Sequence, residues 1–493
     1  MNTGFIVFVL TFIFSRIAQG HALDGVNVLS QTLFFGGILA FGGVLIYVLT
    51  SAHREKDKEV LENFKNIYFS HVFIIAASIL AIFSLRLAIR FFIVASILMI
   101  PAIIYAAFRL YDRAKGSKDD VGRIVLWIGF AFVGIALLMS AFAQTHEIQL
   151  RAQHMVPSPY NHQWHHAMDW VDQNTPEEAI FAHWWDYGYW VQTLGNRATL
   201  ADGQYNSGWI THNIARYILT TPNPDSALSM FKSYNVSYLL IDSSDVGKYG
   251  AYSSIGSGSE GGDRRSWIPV IPVDEGQSQQ TQNGSVRVYS AGSQLDGDIV
   301  YDDDGERVFL PEGRAFLGGI MLEYQDTNET RSFQQPTGVY FYRNQRYDLP
   351  IRYIYFEGRL FDFGEGIEAT LRIIPSITQN MQVDELGALA YLSEKTKDSL
   401  FAQLYLMNDP HNNYPTIQLA HKQDDFIIES VRQQGVDLGD FVYFQGLRGP
   451  IKIWDTADIP EDVNVREELL YPPAGWNNAD GPWAFLDDLE FRG

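Results

Sequence analysis

Apolar residues crowd into the first 143 positions in five runs, at about 4–18, 31–50, 67–85, 87–108 and 124–143. Several approach the roughly 20 residues that cross a bilayer as a helix, so this pattern predicts a multi-pass α-helical membrane domain over 1–143. The first run is short. Its opening, Met1-Asn2-Thr3-Gly4, lacks the basic start of a signal peptide, so it too is read as a membrane helix. The loop 51–66 carries Arg54, Lys56, Lys58 and Lys65, and the loop 109–123 carries Arg109, Arg113, Lys115, Lys118 and Arg123. Basic loops stay on the cytoplasmic side, so five spans put the N-terminus inside and everything after about residue 144 outside.

Beyond residue 143 the period changes. A connector with Pro157 and Pro159 leads to helical spacing over 164–171, and Asn174-Thr175-Pro176 with two acids behind it reads as a turn. A short strand is expected at Ala179-Ile180-Phe181, then a helix over 187–194 stopped by Gly195. Helices over 208–219 and 225–233 and a buried strand over 236–241 complete a mixed α/β core within 144–265. The Ser/Gly-rich stretch 253–265 marks a boundary or mobile loop. From 266 to 493 short strands dominate, at 286–290, 299–310, 316–324, 338–343, 351–358, 368–374, 400–407 and 440–454. They predict a β-rich module, or two, packed on the α/β core.

Composition narrows the chemistry. The 493 residues include no cysteine, which excludes disulfides and thiolate metal sites. The net charge is −21, and it is uneven: residues 1–143 hold 12 Lys and Arg against 8 Asp and Glu, leaving 24 against 49 for the rest. An acidic part of that size argues against nucleic acid as a partner.

One stretch stands apart. His183-Trp184-Trp185-Asp186-Tyr187-Gly188-Tyr189-Trp190 sets a carboxylate among five large rings. Such rings give rigid apolar area with polar handles, and a carboxylate among them needs a donor, so the group suits a peptide-sized pocket that accepts a hydroxyl hydrogen bond. An aromatic core corner with Asp186 as a helix cap is the plainer alternative. The string Trp184-Trp185-Asp186-Tyr187-Gly188 resembles the signature of the catalytic subunit of oligosaccharyltransferase, the membrane enzyme of asparagine-linked glycosylation. The surroundings share the likeness: Trp164, Trp170 and Asn174 to Ala179 upstream, then Gly195-Asn196-Arg197 and Ala201-Asp202-Gly203 downstream, with Gly203 where asparagine is more usual. Asp245-Val246-Gly247-Lys248, trailed by Ile255, resembles the family's DxxK motif. Gly449-Pro450-Ile451-Lys452-Ile453-Trp454 is similar to a strand of its archaeal members. The likeness runs from roughly residue 10 to the end.

The resemblance implies transfer of an oligosaccharide from a polyprenyl or dolichyl (di)phosphate carrier to asparagine in Asn-X-Ser/Thr. It assigns Trp184, Trp185 and Asp186 to the Ser/Thr hydroxyl, with Tyr187, Gly188, Asp245, Lys248 and Ile255 around the same pocket. Arg90, or Arg86 beside it, is the expected pyrophosphate contact, although arginines at a membrane joint also serve by gripping headgroups. Family members carry a further N-terminal set of membrane helices whose DxD-type loops bind Mg²⁺ or Mn²⁺, so no metal ligand is expected in this chain. A loop glutamate of the family has no counterpart in 19–30; Gln19 or Asp24 stands nearest. Expected partners are the lipid-linked oligosaccharide, acceptor polypeptides, the membrane and a separate N-terminal half. Two other classes remain: a non-catalytic acceptor-binding half of a split enzyme, and a membrane-anchored carbohydrate-binding or scaffold protein.

Three further features take plain readings. His162, His165 and His166 with Asp169 have the i, i+3, i+4 spacing of a metal clamp but fit a solvated helix face better. Tyr301 to Glu306 is a charged hairpin turn rather than a calcium loop, because no ligand follows at the twelfth position. Asn235, Asn283 and Asn328 begin glycosylation sequons, Asn235 being the least accessible, ahead of a buried strand.

Overall fold

The computed structural model describes residues 28–54, 104, 107–154, 160–203, 208–258, 262–281, 284–303, 306–326, 331–378 and 382–472. The chain divides into two compact units, 1–156 and 157–493. In the first, helix α1 spans Val28–Arg54, residues 107–116 are helical, and α2 spans Asp120–His154. Within α2, Asp120–Gln149 is long and apolar enough to cross a bilayer, and 28–44 of α1 is a shorter apolar stretch. Large apolar side chains such as Leu39, Phe132 and Phe142 are exposed on both helices. The predicted spans 4–18 and 67–85, and nearly all of 87–108, lie outside the described residues. One span-length helix among the described residues does not by itself give the predicted multi-pass domain.

The second unit is an α/β domain with a β-rich C-terminal region. Along the chain come α3 (His162–Asn174), β1 (Ile180–Ala182), α4 (Gly188–Thr193), β2 (Ala198–Thr199), α5 (Gly208–Asn213), α6 (Pro224–Ser233), β3 (Tyr238–Ile241), α7 (Ser244–Ile255), β4 (Gln418–Gln423), α8 (Phe426–Gln433) and β5 (Ile451–Asp455). The predicted helix 208–219 is α5 continued by a π-helical turn, Ile214–Leu219. Helix α3 starts on Asn161, whose side chain accepts from the Trp164 amide, and buries Trp164, Ala167, Met168 and Val171. That i, i+3, i+4, i+7 stripe is the apolar face of an amphipathic helix.

Five strands form one sheet in the order β4-β5-β3-β1-β2. Both neighbours of β1 are parallel to it, with Phe181 opposite Tyr238, whereas β5 runs antiparallel to β3 with Lys452 opposite Ile241. The second, larger sheet is mainly antiparallel and runs through 284–294, 316–326, 337–342, 345–356, 367–377 and 383–392. A separate hairpin pairs Ile299–Asp303 with Glu306–Leu310, as expected for the charged turn between them.

Three expectations change. Strand β5 falls in the stretch 266–493 read as β-rich module, yet it pairs with β3 and completes the α/β sheet. Long-range pairing of this kind leaves no trace in local periodicity. Residues 400–407, expected as a strand, are instead a buried π-helical turn, Phe401–Leu406. A short continuous apolar run suits a buried helix as well as a strand, so spacing does not separate them. The expected strand 440–454 breaks into Val442–Tyr443, Leu447–Arg448 and β5. The breaks fall where Gln445 and Gly446 adopt positive φ and where Gly449-Pro450 follows.

Candidate functional site

The aromatic turn is the exit of β1. His183 is fully buried and its Nδ1–H donates to the Trp184 carbonyl at 2.7 Å. Burial pulls its pKa down to about 4, so the ring is neutral at pH 7 and serves as packing. Trp184 is buried in extended backbone, and its indole lies 5.4 Å from the Tyr252 ring and 6.4 Å from that of Trp185. Residues Trp185–Tyr187 make a single 3₁₀ turn that leads directly into α4. Behind it, Arg197 is buried and clamps the end of α3, donating to the Thr175 hydroxyl and carbonyl and to the Asp172 carbonyl. The Gly195-Asn196-Arg197 stretch thus has a structural role, satisfying carbonyls at a helix C-terminus.

Helix α7 faces this turn. Asp245, Lys248, Tyr252 and Ile255 fall at i, i+3, i+7 and i+10, one stripe of a 3.6-residue helix. The Tyr187 hydroxyl accepts from Lys248 Nζ at 2.8 Å and donates to Asp245 Oδ1 at 2.7 Å, with the Ser244 hydroxyl 2.9 Å away. Asp245 Oδ2 accepts the Asp242 amide at 3.0 Å. Lys248 also pairs with Asp186 Oδ2 at 2.8 Å, while Asp245 Oδ1 stands off at 3.8 Å. Asp186 and Lys248 keep 29% of their side-chain surface exposed, whereas Asp245 is buried. Lys248, expected only to line the pocket, thus sits directly on the Asp186 carboxylate. The Asp186 Oδ1 atom carries no hydrogen bond among the described residues.

Burial raises the Asp245 carboxyl to about 7, against the opposing pull of Lys248. Between the ordinary value of 3.8 and about 7 the folded chain holds a proton that the unfolded chain has released. Stability therefore falls as pH rises through that window, by up to about 1.4 kcal/mol per pH unit from this group. Asp245→Asn is expected to flatten that decline. Urea midpoints of wild type and variant between pH 4 and 8 check this, and parallel profiles would remove Asp245 as the titrating group.

Beside the Asp186–Lys248 pair lies a cavity of about 410 Å³. Its wall includes Trp164, Tyr187 and Trp190 from the aromatic cluster, Asp242 and Ser244 from the start of α7, and Asp425 and Arg448 from far along the chain. Trp184, Trp185, Gly188, Asp245 and Ile255 do not line it. The side chain of Ile255 instead packs on the main core, and its carbonyl accepts from His212 Nδ1 at 2.5 Å. Ser244, Tyr252, Asp425 and Arg448 were not singled out from the sequence. Of these only Tyr252 left a signal, its place on the Asp245–Lys248–Ile255 stripe.

Arg86, Arg90, Gln19 and Asp24 lie outside the described residues. Among the described residues no group of three or more His, Asp or Glu side chains is placed to hold a metal ion, so these residues do not assemble a site for Mg²⁺ or Mn²⁺. His165 Nε2 lies 3.6 Å from Asp169 Oδ2 on an exposed helix face.

The aromatic turn and the DxxK helix that faces it are also where this chain is similar to known proteins. Residues 177–248, which span the turn, β3 and α7 as far as Lys248, match the family model described as the STT3/PglB/AglB core domain. The chain is 34% identical over 95 residues to dolichyl-phosphooligosaccharide-protein glycotransferase 1 of Pyrococcus furiosus, a match covering 19% of this chain and 10% of that protein. The Pyrococcus horikoshii protein of the same name is 26% identical over 256 residues, covering 49% of this chain and 24% of the relative. These matches thus span at most about a quarter of the relatives' length. Among solved structures, the Archaeoglobus fulgidus oligosaccharyltransferase in the apo form shares 13% identity at a TM-score of 0.37, covering 92% of this chain and 53% of that one.

Proposed function

We propose that this chain supplies acceptor recognition to a membrane oligosaccharyltransferase that glycosylates asparagine in Asn-X-Ser/Thr. In that reaction the asparagine amide nitrogen bonds to the anomeric carbon of the sugar, the bond from that carbon to the carrier phosphate breaks, and the amide loses a proton. The observation that carries this reading is the state of Asp186. One oxygen is neutralised by Lys248 at 2.8 Å, and the other has no protein donor among the described residues. A half-buried carboxylate held in that way accepts a hydroxyl from a peptide without the penalty of burying a bare charge. In this reading the half-buried Trp185 gives the apolar rim with the buried Trp184 packed behind it, Tyr187 and Asp245 hold Lys248, and Gly188 and Ile255 fix the turn and the end of α7.

The test is peptide binding. Asp186→Ala is expected to weaken an Asn-X-Thr peptide by about 1–3 kcal/mol, the value of a charged hydrogen bond, and to leave an Asn-X-Ala peptide unchanged. Lys248→Ala is expected to erode the same Thr-dependent part, because the carboxylate loses its anchor. Equal losses for Thr and Ala peptides would make Asp186 a structural cap and return the motif to its plain role.

The rest of the reaction belongs to the same proposal. The donor is a lipid-linked oligosaccharide, with Arg90 or Arg86 offsetting its phosphate charge. Mg²⁺ or Mn²⁺, if bound by residues outside those described or by a separate N-terminal half, would polarise the leaving group. The multi-pass membrane domain and the placement of 144–493 outside the cell membrane rest on the five apolar runs and the two basic loops. Protease added to intact cells is expected to digest the C-terminal domain. Cleavage confined to the loop 109–123 would reverse the topology.

A further inference from the structure

Arg448 shares the cavity with Asp186, and the hydroxyl-binding reading gives it nothing to do. Its backbone is pinned on three sides. Arg448 pairs with Val442 across the short hairpin, the Gln163 amide donates to the Gly449 carbonyl at 2.9 Å, and the Tyr405 hydroxyl donates to the Pro450 carbonyl at 2.7 Å. The side chain is less committed. Its single hydrogen bond among the described residues runs from Nε to the Phe444 carbonyl at a long 3.5 Å, and although its charge acts on Asp425, no described carboxylate lies within ion-pair distance of it. The carboxylates on the cavity wall are already engaged: Asp186 by Lys248, Asp242 by the Ser244 amide and hydroxyl, and Asp425 by the Ile427 amide it caps. A guanidinium offers five donors in a rigid fork, so a half-buried one with a single stretched bond has capacity for a ligand acceptor.

We propose that the cavity is a second acceptor subsite, in which Arg448 donates to backbone carbonyls of the residues that follow the Ser/Thr of the sequon. This rests on the Asp186 reading above. If Asp186 holds the hydroxyl residue, the chain before it leads back to the reacting asparagine, and only the stretch after it is free to enter a cavity built wholly from residues 161–448. At about 410 Å³ the cavity is within the range of small-ligand sites, roughly 300–1,000 Å³. The charge balance selects backbone over side chain. Three carboxylates, Asp186, Asp242 and Asp425, face two cations, Lys248 and Arg448, so an acidic side chain would meet net repulsion while a neutral carbonyl does not. Carbonyl recognition also tolerates any sequence after the sequon.

The experiment compares C-terminally amidated Asn-X-Thr peptides that stop at Thr with peptides three residues longer, binding to the full chain in detergent micelles. The extension is expected to tighten binding about tenfold, as for one added hydrogen bond from a charged donor. Arg448→Gln is expected to abolish that gain while leaving the difference between Thr and Ala peptides intact, which also shows that the variant folds. Arg448→Lys should restore part of it. A length-dependent gain that survives Arg448→Gln, or no gain in the wild type, overturns the subsite and leaves the Asp186 reading standing. Absence of any Thr-against-Ala difference in the wild type overturns both.

Discussion

Gly188→Ala is expected to destabilise the α/β domain by about 3 kcal/mol, a cost typical of forcing an atom into a filled site. The conformation is not at issue: Gly188 has φ −53° and ψ −44°, ordinary helix, where alanine alone gains up to about 1 kcal/mol over glycine. The obstacle is contact. An added Cβ would lie 2.4 Å from the Ala201 carbonyl oxygen and 2.6 Å from Asp202 Cα, and backbone atoms have little room to yield. That segment is held on both sides, by the Leu200 amide on the Phe181 carbonyl and by Gln192 on the Asp202 carboxylate. The clash therefore wins over propensity, and relief comes by shifting the turn that carries Asp186 and Tyr187, so under the proposed function peptide affinity should fall with stability. Gly247→Ala is the control, since its Cβ meets nothing within 4 Å on α7 and should be neutral or slightly stabilising. Urea unfolding followed by tryptophan fluorescence measures both. Equal midpoints for the two variants would contradict the close approach at 188.

What sequence reading captured, and what it missed, follows from the range of the interactions involved. Helix α3 and strands β1 and β3 were legible because their apolar spacing is local, as was the pairing of 299–303 with 306–310. The aromatic motif was legible because three tryptophans around one carboxylate have few other uses. The join of β5 to β3 was not, since it links residues 451–455 to 238–241 across a long insertion. Nor was the bond of Lys248 to Asp186, which depends on α7 docking against the turn after β1. Arg448 was hidden for the same reason: nothing near it in sequence shows that it shares a cavity with residues 161–248. The serines at 253 and 254, expected in a loop, lie inside α7, where Ser254 donates back to the Gly250 carbonyl and Ser253 to the Ser266 carbonyl. Composition marked that stretch as a breaker, and side chain to backbone bonds of this kind let serine remain helical.

Lys452 gives the second large effect, in the strand that closes the α/β sheet. Its side chain is fully buried, and its ammonium is within reach of Asp440 Oδ2 at 2.7 Å, Asn408 Oδ1 at 2.7 Å and the Tyr405 carbonyl at 3.2 Å. Three donors meet three acceptors, and Asp440 supplies the countercharge; the buried Arg372 nearby adds like charge. Lysine at this depth costs several kcal/mol in desolvation, which good geometry offsets only while its partner remains. Asp440→Ala leaves the ammonium with neutral acceptors alone and is expected to cost about 3–5 kcal/mol. Lys452→Met should cost clearly less, because Asp440 keeps Lys422 at 2.9 Å and some solvent, and the methionine fills much of the lysine's volume. The pH dependence has a definite sign. Lys452 and Lys422 hold the Asp440 carboxyl well below its ordinary range, so its contribution is present above about pH 4 and is lost as pH falls toward the folded value. Wild type should therefore lose stability on acidification more steeply than Asp440→Ala. Unfolding midpoints of the three proteins at pH 7 and at pH 3 decide the matter: a Lys452→Met variant less stable than Asp440→Ala would mean that the strand depends on the lysine itself rather than on neutralising a charge it buries.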